Sequence, residues 1–390
     1  MIYNFDEPVY RKNTDCIKYD AMDLFWGVSD AIPMWVADMD IKTPPFIIDA
    51  LKKRLEHEVF GYSFKTERYF QSIINWLNKR HGWKVEKNWI SFSPGVVAGF
   101  TIAIEQFTNY NDEIIVQPPV YFPFFESIEN TGRKVIYNNL KLKNGIFKID
   151  FDDLKSKITN KTKMLLLCNP HNPGGRVWSK NELLKISDIC NKNNILVVSD
   201  EIHADIVYSP AKHIPYASIS EQAAQNSITV MSHSKTFNVA GLTTSYVISA
   251  NKNLLEQYEN ALRIPHLHMG NIFGTEALIA AYNNGEEWLL QLIDYLKKNI
   301  EYVNNFIKQH IPKLKVIIPE STFLLWIDCR NLNMTGKELK NFFFKTAKIA
   351  INEGSMFGQG GEEFVRLNIG CSRKTIEQAM NQLKKAIDKI

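Results

Sequence analysis

Short apolar runs alternate with longer amphipathic runs through most of the chain. Seven short runs lie at residues 89–93, 113–117, 134–137, 163–168, 195–199, 227–231 and 244–250. Some are apolar at every central position, as from Met164 to Leu167, which is typical of strands buried on both faces of a mainly parallel sheet. Because helical patterns lie between most of the runs, the sequence predicts an α/β fold with a mainly parallel seven-stranded sheet covered by helices.

The same pattern predicts two domains. A large α/β domain is expected at residues 43–284, with one helix at 179–193 whose first turn Ser179 can cap. An amphipathic run at 285–310 would form a helix about 40 Å long, which is enough to link two domains. The remaining runs predict strands at 315–318, 322–328 and 363–369 and helices at 335–350 and 374–390. These elements form a predicted small α+β domain, residues 285–390, which residues 1–42 complete.

Composition narrows the class of protein. The chain has 390 residues, 45% of them hydrophobic and 23% charged, which is typical of a soluble globular protein and excludes a disordered chain. The net charge of +4, without a basic cluster, argues against nucleic-acid binding. The longest stretch without a charged residue, 88–104, is too short and too polar to span a membrane. With no signal-peptide pattern and no C-x-x-C pair, we expect a cytoplasmic protein with reduced cysteines.

Chemically useful residues follow the predicted strands. In open α/β sheets, ligands bind beyond the carboxyl ends of the strands. The residues found there are Gly95, Val96, Val97, Tyr121, Asn169, Asp200, His203, Ser232 and Lys235. Each has a simpler interpretation alone, as a turn, a helix cap, a packed ring or a surface lysine.

Together these residues are the parts needed to hold pyridoxal phosphate. A lysine forms a Schiff base with the aldehyde, and its amine can then move protons. A carboxylate keeps the pyridine nitrogen protonated, and an aromatic ring stacks on the cofactor. Backbone N–H groups at the start of a helix bind the phosphate.

Four motifs carry a resemblance that extends over essentially the whole chain. They are Ala-Asp-Met-Asp at 37–40, Asp-Glu-Ile-His at 200–203, Ser-His-Ser-Lys at 232–235 and Phe-Val-Arg-Leu-Asn at 364–368. With them the chain resembles the MalY/PatB family of cystathionine β-lyases. These are C–S lyases among the fold-type I pyridoxal-phosphate enzymes of the aminotransferase superfamily. The resemblance implies that superfamily's fold, with a large and a small domain.

The resemblance also implies roles for the site residues. Lys235 and Tyr121 would be catalytic: Lys235 as the Schiff-base lysine that moves the Cα proton, and Tyr121 as the ring that stacks on the cofactor. Asp200 would pair with the pyridinium nitrogen. Asn169 would hydrogen-bond the ring 3′-oxygen and lie near the substrate carboxylate, which Arg366 would bind.

Further roles concern the phosphate and the partner subunit. Gly95, Val96 and Val97, through backbone N–H groups, and Ser232 would hold the phosphate. Tyr62 would reach the phosphate of the other subunit, which implies a homodimer with active sites at the interface.

The chain departs from many aminotransferases of the superfamily at two places. His203 stands where they have a tyrosine that contacts the 3′-oxygen. The segment 236–241 lacks their phosphate-binding arginine, so phosphate binding must rely more on the helix start and on hydroxyl groups.

Three functions remain open from the sequence. The first is β-elimination from L-cystathionine or related S-substituted cysteines, which yields a thiol, pyruvate and ammonia. The second is transamination of amino acids, which shares the early steps. The third is a regulatory binding protein without turnover, against which intact Lys235, Asp200 and Arg366 argue. Dinucleotide, P-loop and zinc-protease motifs are absent, and no metal site is expected.

Overall fold

The computed structural model describes all 390 residues. The strands are β1 (Ile32–Pro33), β2 (Ile90–Ser93), β3 (Glu113–Val116), β4 (Lys134–Tyr137), β5 (Lys141–Lys143), β6 (Ile146–Lys148), β7 (Thr162–Cys168), β8 (Leu196–Asp200), β9 (Ser227–Met231), β10 (Ser245–Ile248), β11 (Lys315–Ile317), β12 (Leu324–Asp328), β13 (Ile349–Ala350), β14 (Asn352–Glu353) and β15 (Phe364–Asn368). The α-helices are α1 (Ile17–Asp20), α2 (Met22–Trp26), α3 (Pro45–Leu55), α4 (Glu67–His81), α5 (Val96–Phe107), α6 (Pro123–Asn130), α7 (Phe151–Ser156), α8 (Lys180–Lys192), α9 (Glu221–Gln225), α10 (Lys252–Arg263), α11 (Ile272–Asn284), α12 (Glu286–His310), α13 (Gly336–Asn341) and α14 (Arg373–Ile387).

A seven-stranded sheet forms the centre of the molecule, in the order β2-β10-β9-β8-β7-β3-β4. Only β10 runs antiparallel to its neighbours, so the other six strands end at the same edge. Alternate residues of β7 enter different cores: Leu165 and Leu167 one cluster, Met164 and Leu166 another. Burial on both faces explains the unbroken apolar runs, and it confirms the predicted mainly parallel α/β sheet.

A second, antiparallel sheet has the order β11-β12-β15-β14. The N-terminal segment joins this part of the molecule, because β1 pairs in parallel with β13. The predicted linking helix is present as α12. The largest core cluster contains 64 buried side chains and runs from Phe5 to Ile387 across both predicted domains. The division into 43–284 and 1–42 with 285–390 therefore stays a prediction.

The helix predicted at 335–350 is wrong in its second half. The α-helix ends at Asn341, one π-helical turn follows at Phe342–Thr346, and the chain then enters β13. Lys348 has a φ of 56°, which ends the helical path. Strand pairing of β13 with β1 takes precedence over the local helical pattern.

Local sequence signals determine where α8, a helix beside the central sheet, begins. The Ser179 side chain accepts a hydrogen bond from the backbone N–H of Glu182, and the Glu182 side chain accepts one from the backbone N–H of Ser179, so a capping box starts α8 where the sequence predicts it.

None of the helices combines the length and the apolar character needed to cross a bilayer. All five cysteines are free, and four of them are buried.

Candidate active site

A cavity of about 180 Å³ opens at the carboxyl edge of the central sheet. Among the residues that line it are Gly95, Val96, Val97, Tyr121, Asp200, His203, Ser232 and Lys235. These belong to the end of β8, to the start of α5 and to the loops after β3, β8 and β9. The structure therefore brings together eight of the residues that the sequence analysis selected.

Lys235 lies in the loop after β9 and is half-buried. Its Nζ donates a hydrogen bond of 2.6 Å to the carbonyl oxygen of Ala37, a residue of the N-terminal segment. Burial lowers the pKa of Lys235 to about 8, although the Asp38 carboxylate acts in the opposite direction. The amine is thus partly deprotonated near neutral pH, as a nucleophile or base requires.

Asp200 is the last residue of β8 and is buried beside the cavity. One carboxylate oxygen accepts a hydrogen bond of 3.1 Å from the backbone N–H of Ile202. No side chain donates to Asp200, and burial raises its pKa to about 7. A buried carboxylate without a cationic hydrogen-bond partner suits a ligand that brings a protonated nitrogen, such as a pyridinium ring.

The start of α5 forms one wall of the cavity. Gly95 is the N-cap residue, and no side chain caps the helix. The N–H groups of the first turn have no partner within the helix, so an anion there can accept their hydrogen bonds.

Ser232 also lines the cavity, but its hydroxyl already has backbone partners. It donates to the carbonyl oxygen of Thr244 at 2.8 Å and accepts from the N–H of Ser234 at 3.0 Å. Ser234, Thr243 and Thr244 also line the cavity, and no role was predicted for them from the sequence. They offer further hydroxyl groups where the family's phosphate-binding cation is missing.

Two rings complete the polar wall. Tyr121 is half-buried, and burial raises the pKa of its hydroxyl to about 12, so it stays protonated. His203 is buried with no partner for Nδ1, and burial lowers its pKa to about 3, so its imidazole is neutral. A neutral imidazole can donate from one nitrogen and accept at the other, which fits a ring hydroxyl or oxygen on a bound cofactor.

The two asparagines of the Asn-Pro-His-Asn-Pro segment have different positions relative to the cavity. Asn169 does not line the cavity, and its Nδ2 donates to the carbonyl oxygen of Ile214 at 3.2 Å. Asn172 lines the cavity, and its Oδ1 accepts a hydrogen bond of 3.1 Å from Arg366. The contacts predicted for Asn169 stay a prediction, and Asn172 is the asparagine that the structure places at the cavity beside Arg366. The second Asn-Pro pair, three residues later, was the only sequence signal for this residue.

Arg366 lies on β15 and contacts Asn172, but it does not itself line the cavity. Its guanidinium also donates to the carbonyl oxygen of Trp35 at 3.0 Å and to Oδ1 of Asn352 at 2.7 Å. All of these acceptors are neutral, and burial lowers the pKa of Arg366 to about 10. A buried cation without an acidic partner is costly, so the site suits a ligand carboxylate.

Tyr62 does not line the cavity of its own chain. Its side chain is 96% exposed, in a segment between α3 and α4 that has no helix or strand. Its predicted contact with a partner subunit stays a prediction.

The chain matches known proteins over its full length. The aminotransferase class I and II family matches residues 32–383. Cystathionine β-lyase PatB of Bacillus subtilis is 40% identical over 385 residues, which are 98% of this chain and 100% of PatB. Protein MalY of Escherichia coli is 33% identical over 99% of both chains. The crystal structure of cystalysin from Treponema denticola, which contains a pyridoxal 5′-phosphate cofactor, superposes with a TM-score of 0.97 at 37% identity and covers 100% of both chains. The chain belongs to the aminotransferase class I and II family, on the branch that includes PatB and MalY.

Proposed function

We propose that the protein is a pyridoxal-phosphate-dependent C–S β-lyase. It removes the sulfur substituent of L-cystathionine or a related S-substituted cysteine and yields a thiol, pyruvate and ammonia. The observation that carries this proposal is an intact site, with Lys235 and Asp200 at one cavity, in a chain that aligns end to end with a cystathionine β-lyase.

The residues of the cavity have separate tasks in this reaction. When bound, pyridoxal phosphate supplies an aldehyde that condenses with the substrate amine and a ring that takes up the electron pair left at Cα. Asp200 would accept a hydrogen bond from the ring N–H and keep that nitrogen protonated. Lys235 removes the Cα proton and holds it at Nζ, which its lowered pKa allows near neutral pH.

The substrate carboxylate is held on the opposite side. The Arg366 guanidinium binds it, and the Asn172 amide adds a hydrogen-bonding group beside the guanidinium. Because the charge of Arg366 is buried among neutral acceptors, a carboxylate gains more there than on the surface. The first turn of α5 holds the cofactor phosphate through its N–H groups.

Transamination is the second candidate function. The match to the aminotransferase class I and II family is compatible with it, but the 40% identity to a cystathionine β-lyase over the full length supports the lyase more strongly. Lys235, Asp200 and Arg366 would serve both reactions in the same way. The two reactions differ in where the proton is returned and in whether a bond to sulfur breaks.

A product assay separates the two functions. Purified protein is incubated with L-cystathionine and pyridoxal phosphate, without a 2-oxo acid, and pyruvate and homocysteine are measured over many turnovers. Continuous release of both in equal amounts supports the lyase. Turnover that requires an added 2-oxo acid makes the protein an aminotransferase, and no reaction in either assay contradicts both proposals. Lys235→Ala is the matched control, and we expect it to lower the rate by roughly a thousandfold.

We also propose that two copies form a homodimer with active sites at the interface, in the cytoplasm. The segment between α3 and α4 presents exposed apolar side chains, namely Val59, Phe60, Tyr62 and Phe64. A second copy that covered this segment would bury them and bring Tyr62 to the partner's phosphate site. The five free cysteines support a reducing compartment.

A further inference from the structure

The loop that carries Lys235 has little regular structure. Between the end of β9 and the start of β10 it contains only one 3₁₀ turn, Ala240–Leu242. The position of the Lys235 backbone therefore depends on individual hydrogen bonds. One comes from the next residue: Thr236 is buried, and its Oγ1 donates to Oδ2 of Asp205 at 2.9 Å.

Asp205 lies in the loop after β8 and is buried. Besides Thr236, its carboxylate accepts hydrogen bonds from Nε1 of Trp76 at 3.1 and 3.2 Å and contacts Nε2 of His81 at 3.1 Å. Because a carboxylate only accepts, His81 donates from Nε2. Trp76 and His81 both belong to α4. Through its bond with Thr236, the Asp205 carboxylate therefore links the Lys235 loop to a long, well-packed helix.

The Asp205 carboxylate is ionised despite its burial. Burial raises the pKa of Asp205. The hydrogen bond from His81 and the nearby charge of Arg80 lower it by more than burial raises it, so the net pKa is below the ordinary value. A hydrogen bond to an ionised acceptor is shorter and stronger than one to a neutral acceptor. The Thr236 hydroxyl is therefore held firmly.

A second buried carboxylate–imidazole pair lies between the Asp205–His81 pair and Asp200. Glu201, the next residue after Asp200, contacts Nε2 of His213 through Oε2 at 2.7 Å. Its other oxygen accepts from Oγ of Ser199 at 2.8 Å. The rings of His213 and His81 lie 5.2 Å apart, nearly perpendicular. Two buried carboxylate–imidazole pairs, Asp205–His81 and Glu201–His213, therefore pack against each other. One supports Thr236, the residue next to Lys235, and the other contains Glu201, the residue next to Asp200.

We propose that Asp205, acting through Thr236, is a positioning residue that fixes the Lys235 backbone relative to Asp200 and so places Nζ within reach of the substrate Cα. Neither Asp205 nor Thr236 lines the cavity. Loss of the Thr236–Asp205 bond lets the loop shift and slows proton transfer at Cα. Substrate affinity changes little, because Arg366 and Asn172 lie on other elements. This inference rests on the proposed function only in assigning the Cα proton to Lys235.

The test uses the holoenzyme and a reaction that precedes both elimination and transamination. Exchange of the Cα hydrogen of L-alanine in D₂O is followed by NMR, and visible circular dichroism per bound cofactor reports how the protein holds it. We expect Thr236→Val to slow exchange at saturation by roughly tenfold or more, with half-saturating alanine within about twofold of wild type and a changed dichroism band. Thr236→Ser, which restores the hydroxyl, should recover most of the rate.

Thr229→Val is the matched control, because Thr229 is a buried threonine of β9 whose hydroxyl has no partner. It should leave exchange within about twofold of wild type. If Thr236→Val does not retain the cofactor, Asp205→Asn is measured in its place, with the same loss of rate expected. Wild-type exchange rates per bound cofactor in both Thr236→Val and Asp205→Asn would overturn the proposal.

The outcome is separable from the proposed function. Wild-type protein that exchanges alanine but releases no pyruvate from cystathionine refutes the lyase, while the positioning role stands if Thr236→Val slows exchange. Absence of exchange in the wild type removes Lys235 as the proton carrier and refutes the positioning role as well.

Discussion

Burial moves the pKa values of the two central groups towards neutrality from opposite sides. The pKa of Lys235 falls to about 8, and that of Asp200 rises to about 7. Removal from water penalises the charged form of each group. Lys235 therefore loses its proton more easily, and Asp200 keeps its proton to a higher pH. Such pairs are typical of catalytic sites. The same lysine on the surface would be protonated at neutral pH and inert as a nucleophile.

The lowered pKa of Lys235 predicts how the cofactor-free protein takes up pyridoxal phosphate. Below about pH 8 the amine is protonated and cannot attack the aldehyde; above it the amine is free. Stopped-flow absorbance should therefore show an uptake rate that rises with pH through a midpoint near 8.

Lys65 provides the matched control for this measurement. Its pKa is also lowered by burial to about 8, but it does not line the cavity. Lys65→Ala should keep the wild-type pH profile, whereas Lys235→Ala should abolish the absorbance change. A midpoint near the ordinary lysine value would contradict the assignment.

The two asparagines give a second prediction at this scale. Asn172→Ala removes a hydrogen-bonding group beside Arg366, so KM for cystathionine should rise roughly tenfold. Asn169→Ala removes a bond to the carbonyl oxygen of Ile214, which does not line the cavity, and should change KM by less than about twofold. Steady-state kinetics compares the two variants, and a larger KM effect at Asn169 would contradict a substrate-binding role for Asn172.

At the scale of elements, strands were predicted well where burial is two-sided. Each of the seven central strands lies within two residues of its predicted run, and the pattern is clearest in β7, whose central apolar residues are buried on both faces. The hairpin β5–β6 was missed, because its strands are only three residues long. Its turn, Asn144-Gly145, has positive φ at both residues and was the signal that could have revealed it.

Close packing of α5 on the central sheet holds the proposed phosphate site in place. Gly99 lies in the second turn, and a Cβ there would stand 2.8 Å from Cγ1 of Val230 and 2.8 Å from Oγ of Ser93. Alanine normally favours a helix over glycine by about 1 kcal/mol. Here the contact would push the helix away from the sheet instead.

Gly99→Ala should therefore weaken cofactor binding. Displacement of α5 moves the N–H groups of its first turn, and we expect the dissociation constant for pyridoxal phosphate to rise roughly tenfold in a fluorescence titration. Gly241→Ala is the control, because a Cβ there meets nothing within 4 Å. Equal affinities in the two variants would show that the helix accommodates the added methyl group.

At the scale of the whole molecule, the site draws on segments far apart in the chain. Ala37 accepts from Lys235, and Trp35 and Asn172 accept from Arg366. The N-terminal segment, the central sheet and the second sheet must all be in place before the cavity exists. Assembly of the fold and assembly of the site are therefore one event.

The proposed homodimer is tested by mixing subunits. Sedimentation should give twice the mass of one chain, and Tyr62→Ala should bind the cofactor more weakly. Lys235→Ala and Tyr62→Ala subunits, denatured together and refolded, should recover about a quarter of the wild-type activity, because each mixed dimer regains one native site. A monomer in sedimentation, or no recovery after mixing, would contradict a shared site.

The sequence by itself determined the central strands, the long helix α12, the capping of α8, and eight of the seventeen residues that line the cavity. These depend on periodicity, on a capping box and on the rule that strand ends carry ligands, all of which are local. Only the tertiary structure decided that Asn172 and not Asn169 lies beside Arg366, that residues 349–350 leave a helical pattern to pair with β1, and that Lys235 and Asp200 are shifted towards neutrality. Each of these depends on contacts between residues distant in the chain, and on the burial those contacts create.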